Sequence, residues 1–259
     1  MIKKSRLLFP LLFAQLLALS GIVLAEPEKN WPAPIKALEA QGVEVIGRFD
    51  APGGLKGYAA MVQQQPLAIY LTADGKQAIV GTMIDAKGDN LSQEPLNKLV
   101  SKPMTLKTWN QLEKSNWIAA GSKNAPRVVY TFTDPNCPYC NKFWNDAQPW
   151  INAGKVQVRH VLVGILMDSS AGKAAALLAA ADPQAALAQH EQQHASGGVK
   201  PLTEISAKVR TQLDANEALM QQLGSSATPT TFYKDASGNL QKAQGAPSAE
   251  MLIKILGPR

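Results

Sequence analysis

Val128-Val-Tyr-Thr-Phe-Thr133, Asp134-Pro-Asn136, Cys137-Pro-Tyr-Cys140 and Asn141-Lys-Phe-Trp-Asn-Asp-Ala-Gln-Pro-Trp150 follow one another without a gap. The first block, β-branched and aromatic, predicts a strand. The last has helical character, and the turn residues between them lead straight into the only two cysteines of the 259-residue chain. A Cys-x-x-Cys where a strand passes into a helix is a pattern that makes a reactive thiol rather than a structural one. Cysteines three apart on a first helical turn put both sulfurs on one face, within bonding reach. Cys137 would sit at the helix N-terminus, where free N–H groups and the positive dipole end favour a thiolate, so its pKa should fall well below about 8.5. Pro138 suits a first turn, whose N–H is not needed. The Asp134-Pro135-Asn136 turn should expose Cys137. In this reading Cys137 is the nucleophile and Cys140 the resolving thiol.

Two other uses of the pair are weaker. As a staple it closes a loop of about four residues, which constrains the unfolded chain by roughly 2 kcal/mol against nearly 5 for a loop of about 100. As half of a zinc site it could be completed by His190 and His194, four apart on an expected helix, but the fifty-residue gap from Cys140 to His190 is far from finger spacing. Those histidines are surrounded by Gln189, Glu191, Gln192 and Gln193, so a solvated helix face is expected. His160, within an apolar strand, reads as a satisfied core or edge histidine. No metal or other cofactor is expected beyond the dithiol itself.

Upstream, Lys3, Lys4 and Arg6 precede an interrupted apolar run, Leu7–Leu24, and Glu26-Pro27 then turns polar. This predicts a signal peptide over residues 1–25, cleaved on export, and a periplasmic address. The formal charge of +6 falls to +3 without those three basic residues. A balance so mild and unclustered does not indicate nucleic acid as a partner.

Residues 31–100 read as a short helix ending at Gly42, a strand from Val43 to Phe49, then further strands at Gly57–Gln63, Leu67–Thr72 and Ala78–Asp85. That is a compact meander with little core of its own. Pro103 marks a break. Helical spacing over Thr105–Ala120 (Leu106, Trp109, Leu112, Trp117) suggests a linker helix, or else the first helix of the next domain. After the strand and Cys-x-x-Cys helix come a strand at Val156–Gly164 and mostly helix over 170–223. That region has an N-cap at Asp182-Pro183 and a capping box at Asp214–Glu217. Strands at Thr230–Lys234 and Leu240–Gln244 and a helix at Ser248–Leu256 complete the chain. The class is α+β. The domains are a small N-terminal sheet unit (26–102), a linker helix (103–124) and a thioredoxin-like domain (125–259) with a helical insertion at about 168–224.

Ala227-Thr228-Pro229-Thr230 precedes a strand. Beside a thioredoxin-type Cys-x-x-Cys it matches the place where that fold holds a cis-proline loop against the active site. A backbone edge at Thr228 could then pair with an extended substrate segment.

The chain resembles the DsbC/DsbG family of periplasmic thiol:disulfide interchange proteins. The resemblance rests on Pro32-Ala-Pro-Ile-Lys-Ala37, Phe49-Asp-Ala-Pro-Gly-Gly-Leu-Lys-Gly-Tyr58, Ile69-Tyr-Leu-Thr-Ala-Asp-Gly-Lys76, Asp134–Cys140, Leu162-Val-Gly164 and Thr228-Pro229. It implies a V-shaped homodimer joined through the N-terminal sheet domains, with catalytic domains facing a cleft. It implies a DsbD-like membrane reductase that keeps Cys137 and Cys140 reduced, and substrates that are oxidised or misfolded periplasmic proteins. Activity would be disulfide reduction and isomerisation, reduction of sulfenylated cysteines, and a chaperone role. Pro138, Tyr139, Thr228 and Pro229 would tune the site or line the substrate groove. Asn136 stands where the resemblance expects an aromatic. The rival functions are a DsbA-like dithiol oxidase, which has no need of residues 31–120, and a holdase with incidental cysteines.

Overall fold

The computed structural model describes residues 30–258, so the signal-peptide reading lies outside the described residues. The N-terminal unit starts with helix α1 (Ala33–Glu39), followed by strands β1 (Glu44–Asp50), β2 (Lys56–Val62), β3 (Gln65–Leu71) and β4 (Ala78–Val80). The strands pair antiparallel in chain order. Trp31, Ile35, Val45, Tyr58, Ala60, Ile69 and Leu71 form its core. β4 is only three residues long, not the run to Asp85 that composition suggests. Ile79, Val80 and Ile84 remain about half exposed or more (53%, 47% and 64%) on that edge.

The break expected at Pro103 does not occur. Helix α2 (Gln93–Leu96), a π-helical turn (Asn97–Ser101) and helix α3 (Lys102–Glu113) run on continuously. Pro103 sits in the first turn of α3, immediately after the wide turn, where one missing N–H and a bulky ring are tolerated. The front of this helical rod lies on the N-terminal sheet, with Val100 buried and Leu99 against Gly47. Its rear belongs to the second unit: Leu112 is fully buried there, and Trp109 meets Tyr130 edge-on at 5.0 Å. Helical spacing also overreached at the other end. Residues 117–120 are a strand, β5 (Trp117–Ala120), so the rod ends at Glu113 and is a shared wall rather than a free spacer.

The second sheet has the order β5-β7-β6-β8-β9. Its other strands are β6 (Arg127–Thr133), β7 (Val156–Leu162), β8 (Thr230–Lys234) and β9 (Leu240–Gln244). β6 and β7 run parallel through helix α4 (Pro138–Asn152), and the remaining pairs are antiparallel. Helices cover both faces. Val129, Val156, Val158 and Tyr233 pack under α4 and helix α8 (Ala249–Leu256). Tyr130, Phe132, Val161 and Phe232 pack under α3 and helix α7 (Ala207–Gln222).

The insertion consists of α5 (Ser170–Leu178), α6 (Pro183–Gln192) and α7, with its own buried set of Leu162, Leu177, Leu187, Val209 and Leu213. α6 begins as composition predicts, with Asp182 accepting from the Ala185 N–H at 3.0 Å. The capping box read at Asp214–Glu217 is not a helix start. α7 begins about two turns earlier, where the Ser206 hydroxyl accepts from the Val209 N–H. The polar residues inside α7 serve tertiary bonds instead. Asn216 donates to the carbonyls of Asn116 and Leu162, and Glu217 accepts the Gly164 N–H at 3.0 Å.

Candidate active site

β6 ends at Thr133, and Asp134 ties the next loop together. One carboxylate oxygen accepts from the Asn136 N–H and the Ser170 hydroxyl, both at 2.8 Å. The other accepts from the N–H groups of Ile165 (2.8 Å) and Leu166 (3.0 Å). A 1% exposed carboxylate thereby holds the turn before Cys137, the 164–167 loop and the start of α5 in one arrangement. Gly164 is part of that arrangement, because a Cβ there would fall 2.5 Å from the Ala171 Cα. Asn136 extends the network. Its amide donates to Ser169 and Ser170 and its oxygen accepts from Lys173.

Cys137 is the N-cap of α4. Its sulfur accepts the Cys140 N–H at 3.3 Å, and its carbonyl accepts the N–H groups of Cys140 and Asn141. Opposite, the Thr228-Pro229 bond is cis, and the Thr228 carbonyl lies 3.4 Å from the Cys137 sulfur as its acceptor. The expectation that the turn exposes Cys137 is therefore wrong. The residue is 2% exposed because the Thr228 loop closes over it, while Tyr139 projects at 62%. Cys140 is equally buried.

The two thiols part company in acidity. The Cys137 thiol is lowered to about 6, chiefly by its hydrogen bond with the Cys140 thiol, with Thr228 and the N–H groups of Cys140 and Tyr139 acting the same way against the opposing effect of burial. The Cys140 thiol is pushed well above its usual value by burial and by its negative neighbour. One thiol that ionises easily beside one that resists ionisation is an arrangement able to supply a nucleophile and a second thiol in reserve.

A match to two family models joins this geometry to known proteins. Residues 114–258 match the thioredoxin-like domain, and residues 25–93 match the disulfide bond isomerase protein N-terminal domain. The thiol:disulfide interchange protein DsbG of Pseudomonas aeruginosa is 51% identical over 94% of this chain and 95% of its own. The chain belongs to the DsbC/DsbG family. Escherichia coli DsbG is 44% identical over 92% of the chain and 95% of its own. The catalytic domain of Proteus mirabilis ScsC shares the fold, with a TM-score of 0.50 and 23% identity over 59% of this chain and 94% of that one. This DsbC/DsbG-family chain is thus a thiol:disulfide oxidoreductase, an enzyme that works through its own cysteines.

The structure gathers Cys137, Pro138, Tyr139, Cys140, Thr228 and Pro229 at one place, as the sequence suggested. It does not bring His190 and His194 there as ligands, and among the described residues no group of three or more His, Cys, Asp and Glu is placed to hold a metal ion. The expected solvated histidine face is also corrected: His190 is 1% exposed. The Val199 N–H donates to its Nδ1 at 3.0 Å, so Nε2 carries the proton and donates to the Pro135 carbonyl at 2.9 Å. His160 is in the core, but only half satisfied. Nδ1 pairs with Thr133 at 2.9 Å, Nε2 has no partner among the described residues, and burial lowers its pKa to about 4, which keeps it neutral.

Sequence reasoning passed over Asp134, Lys173, His190 and Glu191 as site residues. Asp134 alone carried a local signal, since an Asp two residues before a turn N–H is a common Asx acceptor. The others reach the cysteines only through the packing of the insertion.

Proposed function

We propose that the chain is a periplasmic reductase and isomerase of protein disulfides, in which Cys137 attacks and Cys140 resolves. The observation that carries this is Cys137 at the N-cap of α4, its sulfur accepting the Cys140 N–H beneath the cis Thr228-Pro229 loop, with Cys140 buried beside it. Cys137 attacks one sulfur of a substrate disulfide. That S–S bond breaks, a mixed disulfide forms, and the departing sulfur leaves as a thiolate that takes a proton. Cys140 must lose its own proton before it can attack the mixed disulfide, and its raised pKa makes this slow. The delay gives the freed substrate thiol, once deprotonated again, time to attack another substrate disulfide; the thiolate released there attacks the mixed disulfide and expels Cys137 as a thiolate, which completes isomerisation. If Cys140 attacks first, the substrate leaves reduced and Cys137–Cys140 becomes a disulfide. A DsbD-like membrane dithiol would then restore the pair.

A sulfenylated cysteine is a second substrate class for the same attack. Cys137 displaces hydroxide, which leaves as water with one proton, and the resulting mixed disulfide is resolved in the same way. The exposed apolar residues Tyr139, Ile165, Leu166 and Met167 frame the cysteines and suit a protein chain with its core side outward. Pairing of that chain with the Thr228 backbone would set its cysteine over Cys137. Homodimerisation through the N-terminal sheet is supported by the exposed apolar β4 edge at Ile79, Val80 and Ile84.

Trapping tests the reading. Cys140→Ala in cells should accumulate mixed disulfides between Cys137 and several exported proteins, released by reductant. If Cys140→Ala captures no protein partner, the enzyme reading fails.

A further inference from the structure

The last turn of α6 grips the active-site loop from both sides. His190 holds Pro135 on one side of the cysteines. On the other, the Asn141 amide donates to the Glu191 carbonyl at 2.7 Å and to its carboxylate at 2.8 Å. Asn141 directly follows Cys140, and its own N–H is bound to the Cys137 carbonyl. Glu191 is 3% exposed, and among the described residues no Lys or Arg forms an ion pair with it. A buried carboxyl with one amide for company, bound to the residue that follows Cys140 and within electrostatic reach of Cys137, is not explained by packing alone.

We infer that Glu191 is a positioning residue that couples the redox state of the cysteine pair to proton uptake, gaining a proton when the disulfide is reduced and releasing it when the disulfide forms. The inference rests on Cys137 being the thiolate of the preceding reading. Two negative charges close together in a buried site are not borne at once, so their titrations belong to the pair. With the disulfide closed, Cys137 is neutral and Glu191 is opposed only by burial. Opening it takes two electrons and one proton: the S–S bond breaks, Cys137 keeps a thiolate, and Cys140 takes the proton. The new charge then repels Glu191, whose pKa, already raised by burial, reaches about 7, against about 6 for Cys137. Between those values Glu191 binds a further fraction of a proton. The electrons come from a dithiol donor.

The other charged groups nearby do not take over this part. Asp134 is fully engaged by its four donors. Lys173 of α5 is held by Asn136 and the Gly197 carbonyl. On α4, Lys142 and Asp146 pair with each other at 2.7 Å. Burial disfavours the charged form of both His190 and His194, and both ring nitrogens of His190 are already engaged, by the Pro135 carbonyl and the Val199 N–H.

Glu191→Gln keeps an acceptor for Asn141 and removes the charge. Two profiles should be measured from pH 5 to 8.5: the alkylation rate of Cys137, and the equilibrium with dithiothreitol. In the variant, alkylation at pH 5 should be unchanged, because Glu191 is already protonated there. Above about pH 7 the equilibrium should shift threefold to tenfold toward the dithiol form, at most about 30 mV. The excess proton uptake between about pH 6 and 7 should vanish. Superimposable profiles would overturn the inference. So would a shift seen in Glu191→Ala but not in Glu191→Gln, since that marks a packing role. If Glu191→Gln does not fold, the wild type still decides. Its reduction at pH 6.5 should release fewer protons than its thiolate ultraviolet absorbance counts, and equal numbers reject the coupling. A wild type that reacts with neither reagent would instead bring down the interchange reading itself.

Discussion

The two sheets of this chain divide the labour. The N-terminal sheet is a meander of neighbours: each strand pairs with the next, the core is seven residues, and an apolar edge is left open at β4. The second sheet is assembled from distant segments. β6 lies between β7 and β8, about thirty and one hundred residues further on, and its faces are covered by helices α4, α7 and α8 and by the rear of α3. A sheet with an unfinished edge is suited to being completed by another chain. A sheet closed on both faces can hold a loop rigidly enough to set the acidity of a sulfur. The difference teaches that chemistry and association are placed in separate parts, joined by one rod that packs on both.

That division can be broken by experiment. Cys137→Ser should abolish interchange while leaving the oligomeric state by sedimentation unchanged; a changed state would tie the two units together chemically. Trp150→Ala removes a 1% exposed side chain and its 2.8 Å bond to the Gly257 carbonyl. It should cost about 3–5 kcal/mol in urea unfolding of the catalytic unit, and far-UV signal from the N-terminal sheet should outlast it. Asp134→Asn puts an amide donor against the N–H groups of Ile165 and Leu166. It should cost about 2–3 kcal/mol and raise the pH at which Cys137 alkylation is half-complete; an unchanged alkylation profile would show that the loop is held by other means. Ile79→Lys with Val80→Lys should weaken self-association by about tenfold or more and leave the alkylation profile as it was.

The smallest effect is in pH. Cys137 is more acidic in the folded dithiol form than its ordinary 9.0, so it stabilises the fold fully above pH 9 and loses that contribution as pH falls through about 6. Glu191 acts with the opposite sign. Its raised pKa leaves stability intact below about 4.5 and withdraws it as pH rises through about 7. The melting temperature of the reduced protein should therefore climb from pH 7 to 9 in the wild type, where the gain from Cys137 outweighs the smaller opposing contributions of Glu191 and Cys140. In Cys137→Ser that climb should be absent.

Much of this was legible in the residues. Val128–Cys140 announced a strand, a turn and a helix cap because those signals are local. Thr228-Pro229 was assigned its place only because the Cys-x-x-Cys implied a fold to put it in. The failures have physical causes of the same kind. Pro103 was read as a break because a proline rule describes one turn, and a π-helical turn next to it relieved the strain. Trp117 fits a helical stripe by spacing, yet a partner strand at Val161 wins residues 117–120 for the sheet. Asp214–Glu217 has the composition of a cap, but Asn216 and Glu217 are spent on backbone groups of other segments. His190 and Glu191 looked solvated among glutamines. Only the fold shows that α6 presses that face onto the cysteine loop.

Arg127 opens β6, and its guanidinium donates to the carbonyls of Lys234, Lys254 and Ile255. Leu252, Ile255 and Leu256 of α8 then fill the face beneath the cysteine helix. The partners in α8 are synthesised more than a hundred residues after Cys140. A nascent chain thus carries both thiols long before it has the wall that orders them. Until α8 follows, Cys137 and Cys140 are two ordinary cysteines, exposed to whatever oxidant they meet. An enzyme that works through its thiols is itself open to their oxidation while it is being made.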